Sequence, residues 1–503
     1  MTAFLLCLAL VLTGCSTTAD PPPQEEVPTT PVPSAVPEQQ DFALPYYLNA
    51  DLHPIFGNNR ANMVLTSLVY QGLFELDNTF TPHGVLCSDY SVSDDRLVWT
   101  FSLSDAVFSD GSPVTPADVI HSLNLARTST LYATRLSKVL RMDTGTDNSV
   151  VVTLSQPVRY LPALLDIPII RDLQDGSMPL GTGPYCFVED GGPLRLARES
   201  FAPDTAPEEI PLLAIEDADD LIYAFDAGKI SLTVSDPTGS NTLGYSVGYE
   251  AFDFPTTTML YVGFQAVEGP CSDPLIRQAL SRSFDRTTVT GALLAGHADA
   301  TCLPISPRST QHNPSYEQAG GYDPDTAKQL LLSAGCREGE DGLLYQGRTP
   351  LSLTFAVNTD NPYKLAVAEF LAGQLSEAGL TVTLKKLPWN DYLAALNDGA
   401  FDLYLSEVAL TADFDLTDLL SSTGTLNFGG YVSEEMDRLL AHLNSTDTGE
   451  PVVLSHFQQD APIAPLCFKT HSVLTQWQAV SGLTPTRQNP FYHLESLRFG
   501  AVE

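Results

Sequence analysis

The sequence predicts a mixed α/β protein built from two or three domains or lobes, and three observations carry that expectation. Its 503 residues exceed what one hydrophobic core usually serves. With 43% hydrophobic and only 17% charged residues it has ample material for packed cores, which argues against global disorder. Between residues 322 and 407, segments of helical and of strand periodicity alternate in regular order.

The chain begins with an address. Residues 3–13 (AFLLCLALVLT) form one apolar run, too short to span a bilayer as a helix and of the right length for a signal-peptide core. It ends at Leu12-Thr13-Gly14-Cys15, which resembles the lipobox of bacterial lipoproteins. Residues 1–14 are therefore expected to be a signal peptide and Cys15 the lipidated residue. No Lys or Arg precedes Arg60, so the basic flank of such a signal is missing, which points to a start a few codons upstream. Residues 16–40, rich in Pro, Thr, Ser and acid, read as a tether; if polyproline-like, they extend ~3.1 Å per residue. No later segment has the apolar length of a membrane helix, so the body is expected to be extracytoplasmic and water-soluble.

Next come strands at 98–103 (VWTFSL) and 150–154 (VVVTL). Between them, Asp110-Gly111-Ser112-Pro113 supplies a turn. Thr115-Pro116-Ala117-Asp118 then opens a helix, close to a capping box with Pro at the first position, and Val119, Leu123 and Ala126 share one face. From 322 the pattern is clearest. Asp323-Pro324 starts a helix that Gly335 closes, 351–357 alternates as a strand, and a helix over 363–378 ends at Gly379. A strand over 380–387, a short helix over 391–396 and a strand over 401–405 follow. Strand, helix, strand, helix, strand at these spacings implies parallel pairing with right-handed crossovers. No repeat of fixed period is visible, which argues against a solenoid or propeller.

Composition also excludes partners. With 61 acidic and 25 basic residues the formal charge is −36, so the cations needed to displace phosphate counterions are scarce, and no nucleic-acid partner is expected. Cys87, Cys186, Cys271, Cys302, Cys336 and Cys467 are widely spaced with no C-x-x-C pair, so a zinc ribbon or thioredoxin-type site is unsupported; disulfides and buried free thiols both remain open. The nine His are dispersed, and no H-E-x-x-H, G-x-S-x-G or Walker motif occurs. Neither an enzyme, a metal site nor a cofactor is expected.

Several blocks then occur in a telling order. LVYQGLFELD at 68–77, SDD at 93–95 with VWTF at 98–101, FSDGSPVTPADV at 108–119, GTGPY at 181–185 and IRQAL with FDR between 276 and 286 resemble the blocks of family 5 extracellular solute-binding proteins. These are the peptide and nickel receptors of ABC importers. The likeness continues through Asp323-Pro324, Ala334-Gly335, Leu387-Pro388-Trp389 and Phe401-Asp402-Leu403, and covers residues 41 to about 475. It implies a bilobal clamshell of the periplasmic-binding-protein kind (type II, cluster C-like) with an extra subdomain in lobe I. On that pattern residues 41–59, 179–262 and 470–503 form the base of lobe I, 60–178 the extra subdomain and 263–469 lobe II, with crossovers near Gly263 and Lys469. The implied function is a monomeric, lipid-anchored receptor on the extracytoplasmic face of the cell membrane. It would capture oligopeptides or dipeptides between its lobes and deliver them to permease subunits. A nickel chelate, a short glycan or a sensing role are the alternatives.

The resemblance also nominates residues. Asp413, in Thr411-Ala412-Asp413-Phe414-Asp415, stands where peptide-binding relatives pair an aspartate with the ligand's α-ammonium, although the Trp before and the Pro-Asp-Pro after that motif are absent here. A desolvated carboxylate gains from a cation and is costly without one. Asp415 reads instead as a helix N-cap with Asp418 in the first turn. Phe414, Asn427 and Tyr431 flank the motif as a candidate apolar wall and amide, and Asn49 and Ala50 precede a Leu52-His53-Pro54 turn whose counterpart touches ligand in relatives. Trp99 and Tyr185 read as core; Arg127 and Arg135 are candidates to hold a ligand carboxylate, although a solvated helix face explains them better.

Overall fold

The computed structural model describes residues 42–500 apart from 174–175, 189–191, 198–201 and 447. The signal peptide, Cys15 and the tether lie outside the described residues. None of the described helices is long and apolar enough to cross a membrane.

Two long strands form the frame. Glu250–Phe264 and Ile463–Thr475 run antiparallel along almost their whole length, and most of their side chains are buried. Burial on both faces suits their near-continuous apolar and β-branched composition. At one end, Leu232–Ser235 adds to Ile463–Thr475, from Leu232 opposite Thr475 to Ser235 opposite Ser472. At the other, Leu403–Ala409 pairs antiparallel with the Thr258–Phe264 portion of the first strand. The ladder changes register between Pro255 and Met259 and again between Leu260 and Tyr261. Pro255 has no N–H to give, so an irregularity there costs the ladder little.

The part of the chain that the family pattern assigns to lobe II grows outward from this frame. Ser352–Asn358 lies parallel to both Leu403–Ala409 and Thr381–Leu387, so the first of these strands in sequence is the central one in space. Helices Pro362–Glu377 and Trp389–Asn397 connect them. This is the parallel α/β arrangement the periodicity predicts. Asp323 caps Pro324–Ser333 by accepting from Thr326 N, and Gly335 takes the left-handed conformation that ends the helix, φ +85°.

Lobe I carries a four-stranded antiparallel sheet in the order Cys87–Val92, Val98–Leu103, Ser149–Leu154, Val139–Thr144. Helix Pro116–Ala126 buries Val119, Leu123 and Ala126. Asp118 reaches back to Thr115 N at 2.8 Å, as the capping box requires, and also receives Arg171. Trp99 and Tyr185 are core residues, each 1% exposed. Their core is continuous from Phe42 through the four-stranded sheet to Phe491 and Leu497 near the C-terminus.

Gly263 sits inside regular pairing, opposite Tyr404 and Ile463, and the register break falls before it. A side chain at Gly263 would overlap the Tyr404 ring, so glycine here makes room for an aromatic ring. The six cysteines of the body are all free thiols, five of them buried.

Candidate functional site

Segments that the family pattern assigns to different lobes meet at two tight turns. In lobe I, strands Phe74–Leu76 and Pro82–Gly84 are joined by a turn that Asp77 organises, its Oδ1 accepting from Thr79 N at 2.7 Å and Thr81 N at 3.1 Å. This holds Phe80 in a left-handed conformation, φ +62°, with its ring aimed out of the turn. In lobe II, Thr411 and Asp413 build the matching turn: Phe414 N donates to Thr411 O at 3.0 Å, and Phe414 has φ +52°. Such conformations cost a bulky residue roughly 1–3 kcal/mol each and collect at functional sites. The two rings meet edge to face, centroids 5.3 Å apart, and Phe414 also abuts Phe468 on the long strand. Leu76 and Ala163 of lobe I join the same apolar cluster as Leu410, Leu416 and Phe468.

Polar contacts flank this apolar seam. Lys138 Nζ lies 2.6 Å from Asp415 Oδ2, and Arg159 bridges to Glu450 at 2.9 Å and Gln311 at 3.0 Å. Beside the long strands, Lys469 is buried between Asp236 of lobe I and Glu407 of lobe II, 3.4 Å from each. Burial alone would raise the Asp236 carboxyl, but His471, Lys469 and Arg60 hold it well below the usual range. On the lobe II side, Asn361 Nδ2 donates to Thr238 O of lobe I at 3.0 Å.

Asp413 is 4% exposed. Its Oδ1 accepts from Thr411 Oγ1 at 2.6 Å and, at 3.4 Å, from Asp415 N. Burial, and then the charge of Asp415, push its carboxyl up to about 6, against the pull of Thr411 and Lys138. Asp415 behaves differently. Burial would raise it too, but Lys138 and Thr417 hold it below the ordinary value. Its Oδ1 accepts from Thr417 N at 3.0 Å, but the helix opens one residue later than expected, with Leu416 and not Asp415 at its N-cap, and the other Asp415 oxygen takes Lys138.

The remaining nominated residues divide. Asp413 and Phe414 come together at the seam. Asn427 and Tyr431 instead close a loop within lobe II: the Asn427 amide donates to Ser421 O and Tyr431 O and accepts from Tyr431 N. The Tyr431 hydroxyl donates to Asp460. Asn49 is exposed and Ala50 half-buried in lobe I, where Ala50 O accepts from Asn62 Nδ2 at 3.2 Å.

Arg127 is exposed, but the solvated-face reading fails for Arg135. It is half-buried, 2.5 Å from Asp166 Oδ1, with its guanidinium over the Tyr132 ring. Next to this pair stands Arg487, which periodicity does not single out because it sits in an irregular Pro-flanked segment. Thr486 and Asn489 hold that segment in a turn, and Asn489 Nδ2 anchors it to Glu75 Oε1 at 2.6 Å. Arg487 Nη1 donates to Thr257 Oγ1 at 3.0 Å, within the register break of the long strand. Burial, and then the charge of Arg135, lower the Arg487 guanidinium to about 10. A cavity of about 180 Å³, lined among others by Tyr70, Glu75, Tyr132, Asp166 and Gln488, lies beside this cluster with walls from lobe I alone. Among the described residues no group of three His, Cys, Asp or Glu side chains is placed to hold a metal ion.

Comparison with known proteins gives consistent matches. Residues 81–428 match the family model described as bacterial extracellular solute-binding proteins, family 5 Middle. A putative ABC transporter peptide-binding protein of Brucella ovis is 27% identical over 323 residues; the match spans 59% of this chain and 59% of that relative's length. A glutathione-binding protein of Escherichia coli is 23% identical over 442 residues, 81% of this chain and 84% of the relative. Among solved structures, the ABC transporter substrate-binding protein CtaP of Listeria monocytogenes superposes with a TM-score of 0.71 at 20% identity, covering 92% of this chain and all of that one. That likeness shows the bilobal fold.

Proposed function

The chain belongs to the bacterial extracellular solute-binding proteins of family 5, and on that premise we propose that it is the peptide-capturing component of an ABC importer. It binds oligopeptides or dipeptides between its lobes and delivers them to permease subunits. A lipid on Cys15 and the tether 15–40 hold a monomeric body to the extracytoplasmic face of the membrane once the signal 1–14 is removed. Its ligand sits between lobe I, with a base of 41–59, 179–262 and 470–503 and a subdomain of 60–178, and lobe II of 263–469. The peptide-binding names of the relatives support the substrate class.

The observation that carries this reading is Asp413. It is a buried carboxylate that, among the described residues, accepts from the Thr411 hydroxyl and at long range from Asp415 N, with its carboxyl raised by burial. An ammonium group brought beside it gains a charge-assisted hydrogen bond in a site from which closure excludes water. Phe414 supplies the apolar wall, and Asn427 and Tyr431 brace the loop behind it; Asn49 and Ala50 rim the lobe I side. Ligand binding biases the equilibrium between open and closed lobes to the extent that its contacts exist only in the closed form.

Native mass spectrometry of gently purified full-length protein tests the proposal. A family of co-purified peptides is the expected result. A sugar or a metal complex held in their place overturns it.

A further inference from the structure

We propose that the cavity walled by Asp166 and Gln488 is a second ligand site, which takes a small uncharged molecule bearing a primary carboxamide. Among the described residues, none of 263–469 lines this cavity, so it stands apart from the meeting of Phe80 with Phe414 and does not depend on what binds there.

Three polar atoms of its lining residues are buried without a hydrogen-bond partner among the described residues: Asp166 Oδ2, Gln488 Nε2 and Gln488 Oε1. Asp166 is 7% exposed, and its other oxygen is held by Arg135 at 2.5 Å. Gln488 stands near enough to favour the charged form of Asp166, yet the two do not meet in hydrogen-bond geometry. The turn that carries Gln488 is fixed: Asn489 N donates to Thr486 Oγ1 at 3.2 Å, and Phe491 N to Asn489 Oδ1 at 2.9 Å. A buried polar atom left unpaired is costly and uncommon, and three of them on two adjoining side chains mark a place that receives a partner.

Size and charge narrow what that partner is. Leu68, Phe74 and Phe491 are buried and give the cavity an apolar wall, while Met63 and Glu495 are exposed and mark its mouth, between helix Arg60–Val69 and the turn Leu494–Ser496. A cavity of about 150 Å³ holds benzene, so the 180 Å³ here admits one ring or a short aliphatic body. A cationic head would meet Arg135 and Arg487, which both act on Asp166. An anionic head would meet Asp166 itself and Glu75, whose Oε1 is already engaged by Asn489. The head is therefore polar and uncharged. A primary carboxamide satisfies all three atoms at once: its carbonyl accepts from Gln488 Nε2, one N–H donates to Gln488 Oε1 in an edge-to-edge amide pair, and the second N–H donates to Asp166 Oδ2. A hydroxyl has one proton and cannot serve both acceptors. A carboxylate has none, and an ammonium leaves Gln488 Nε2 without an acceptor.

The test is a calorimetric titration of full-length protein with benzamide, benzoate and benzylamine, which share a ring and differ in the head group. Benzamide is expected to bind at least about 10-fold more tightly than either charged probe, the size of one or two buried hydrogen bonds. Gln488→Met keeps the length of the side chain and removes both unpaired amide atoms, so it should fold as stably as wild type and lose that preference. Ser67→Phe is a second, independent variant: Ser67 lines the cavity from the helix, and its hydroxyl bonds only Val64 O of the same helix among the described residues, so the ring should fill the cavity and abolish binding at little cost to folding. In a methyl spectrum of the methionines, benzamide should shift Met63. No benzamide binding at millimolar concentration, equal binding of the three probes, binding undiminished in either variant, or an unmoved Met63 signal each overturns the proposal.

Discussion

Phe80 and Phe414 face each other across the lobes from two turns that share an uncommon backbone: each ring is carried on a left-handed residue, φ +62° and +52°, and the ring planes stand at 89°. Neither side chain would be offered to the other from an extended chain. The strain in the two turns is thus coupled to contact between the lobes.

Removing one ring should loosen that contact. An edge-to-face pair is worth about 0.5–1.5 kcal/mol beyond the area it buries. Phe80→Ala is expected to raise the radius of gyration of the ligand-free protein in small-angle X-ray scattering. An unchanged radius would mean that the Lys138–Asp415 and Arg159–Glu450 pairs hold the seam unaided.

The carboxyl of Asp413 makes binding and stability depend on pH in opposite senses. Its folded value, about 6, lies above the ordinary 3.8, so the folded protein holds this proton more tightly than the unfolded chain does. Below pH 3.8 both states are protonated and the group costs nothing. Stability falls as pH rises from there to about 6 and then levels off. Asp413→Asn should therefore melt higher than wild type at pH 7, with the difference gone near pH 4. Peptide affinity should run the other way, weaker at pH 5 than at pH 7 in the wild type, and weak and flat in Asp413→Asn. Calorimetry across that pH range reads both, and an Asp413→Asn protein that binds peptides normally would remove the residue from the site.

Gly263 is a packing position. A methyl group there collides with the Tyr404 ring in the middle of a sheet, and overpacking of this kind typically costs about 1–3 kcal/mol. Urea unfolding of Gly263→Ala should show that loss, and Gly263→Ala combined with Tyr404→Leu should recover much of it.

Lys469 pairs with both Asp236 and Glu407 while itself only 4% exposed. Lys469→Met leaves Asp236 and Glu407 near each other without it. Breaking a buried pair from one side costs about 3–5 kcal/mol. Denaturation should register the loss, and adding Glu407→Gln should restore part of it; simple additivity of the two changes would show that Lys469 and Glu407 are not coupled.

Legibility in the sequence followed the range of the interactions. The helices of lobe II announce themselves because their caps are local: Asp323 reaches Thr326, and Asn361 reaches Lys364 N at 3.0 Å. The family blocks pointed to Asp413 and to two lobes. Asp415 was half legible. Its hydrogen bond from Thr417 N is two residues away, but its ion pair with Lys138 spans 277 positions and leaves no periodic trace. Arg135 was misread for the same reason, since its burial depends on Asp166, 31 residues on, and on how that segment folds back. Arg487 had no signal beyond being a rare cation. The pairing of Glu250–Phe264 with Ile463–Thr475, which sets where all these groups meet, joins stretches about two hundred residues apart and follows from no local pattern.

That ladder has a consequence for any attempt to divide the molecule. On the proposed boundaries the chain would pass from one lobe to the other near Gly263 and Lys469, inside the paired strands Glu250–Phe264 and Ile463–Thr475, so a cut between the lobes would sever backbone pairing on both fragments. Each half would carry a truncated, apolar ribbon with open hydrogen-bonding edges, the kind of surface that recruits other chains. Neither lobe is an excisable module. Circular permutants with new ends in exposed loops such as 339–342 stand a better chance of folding than either lobe expressed alone.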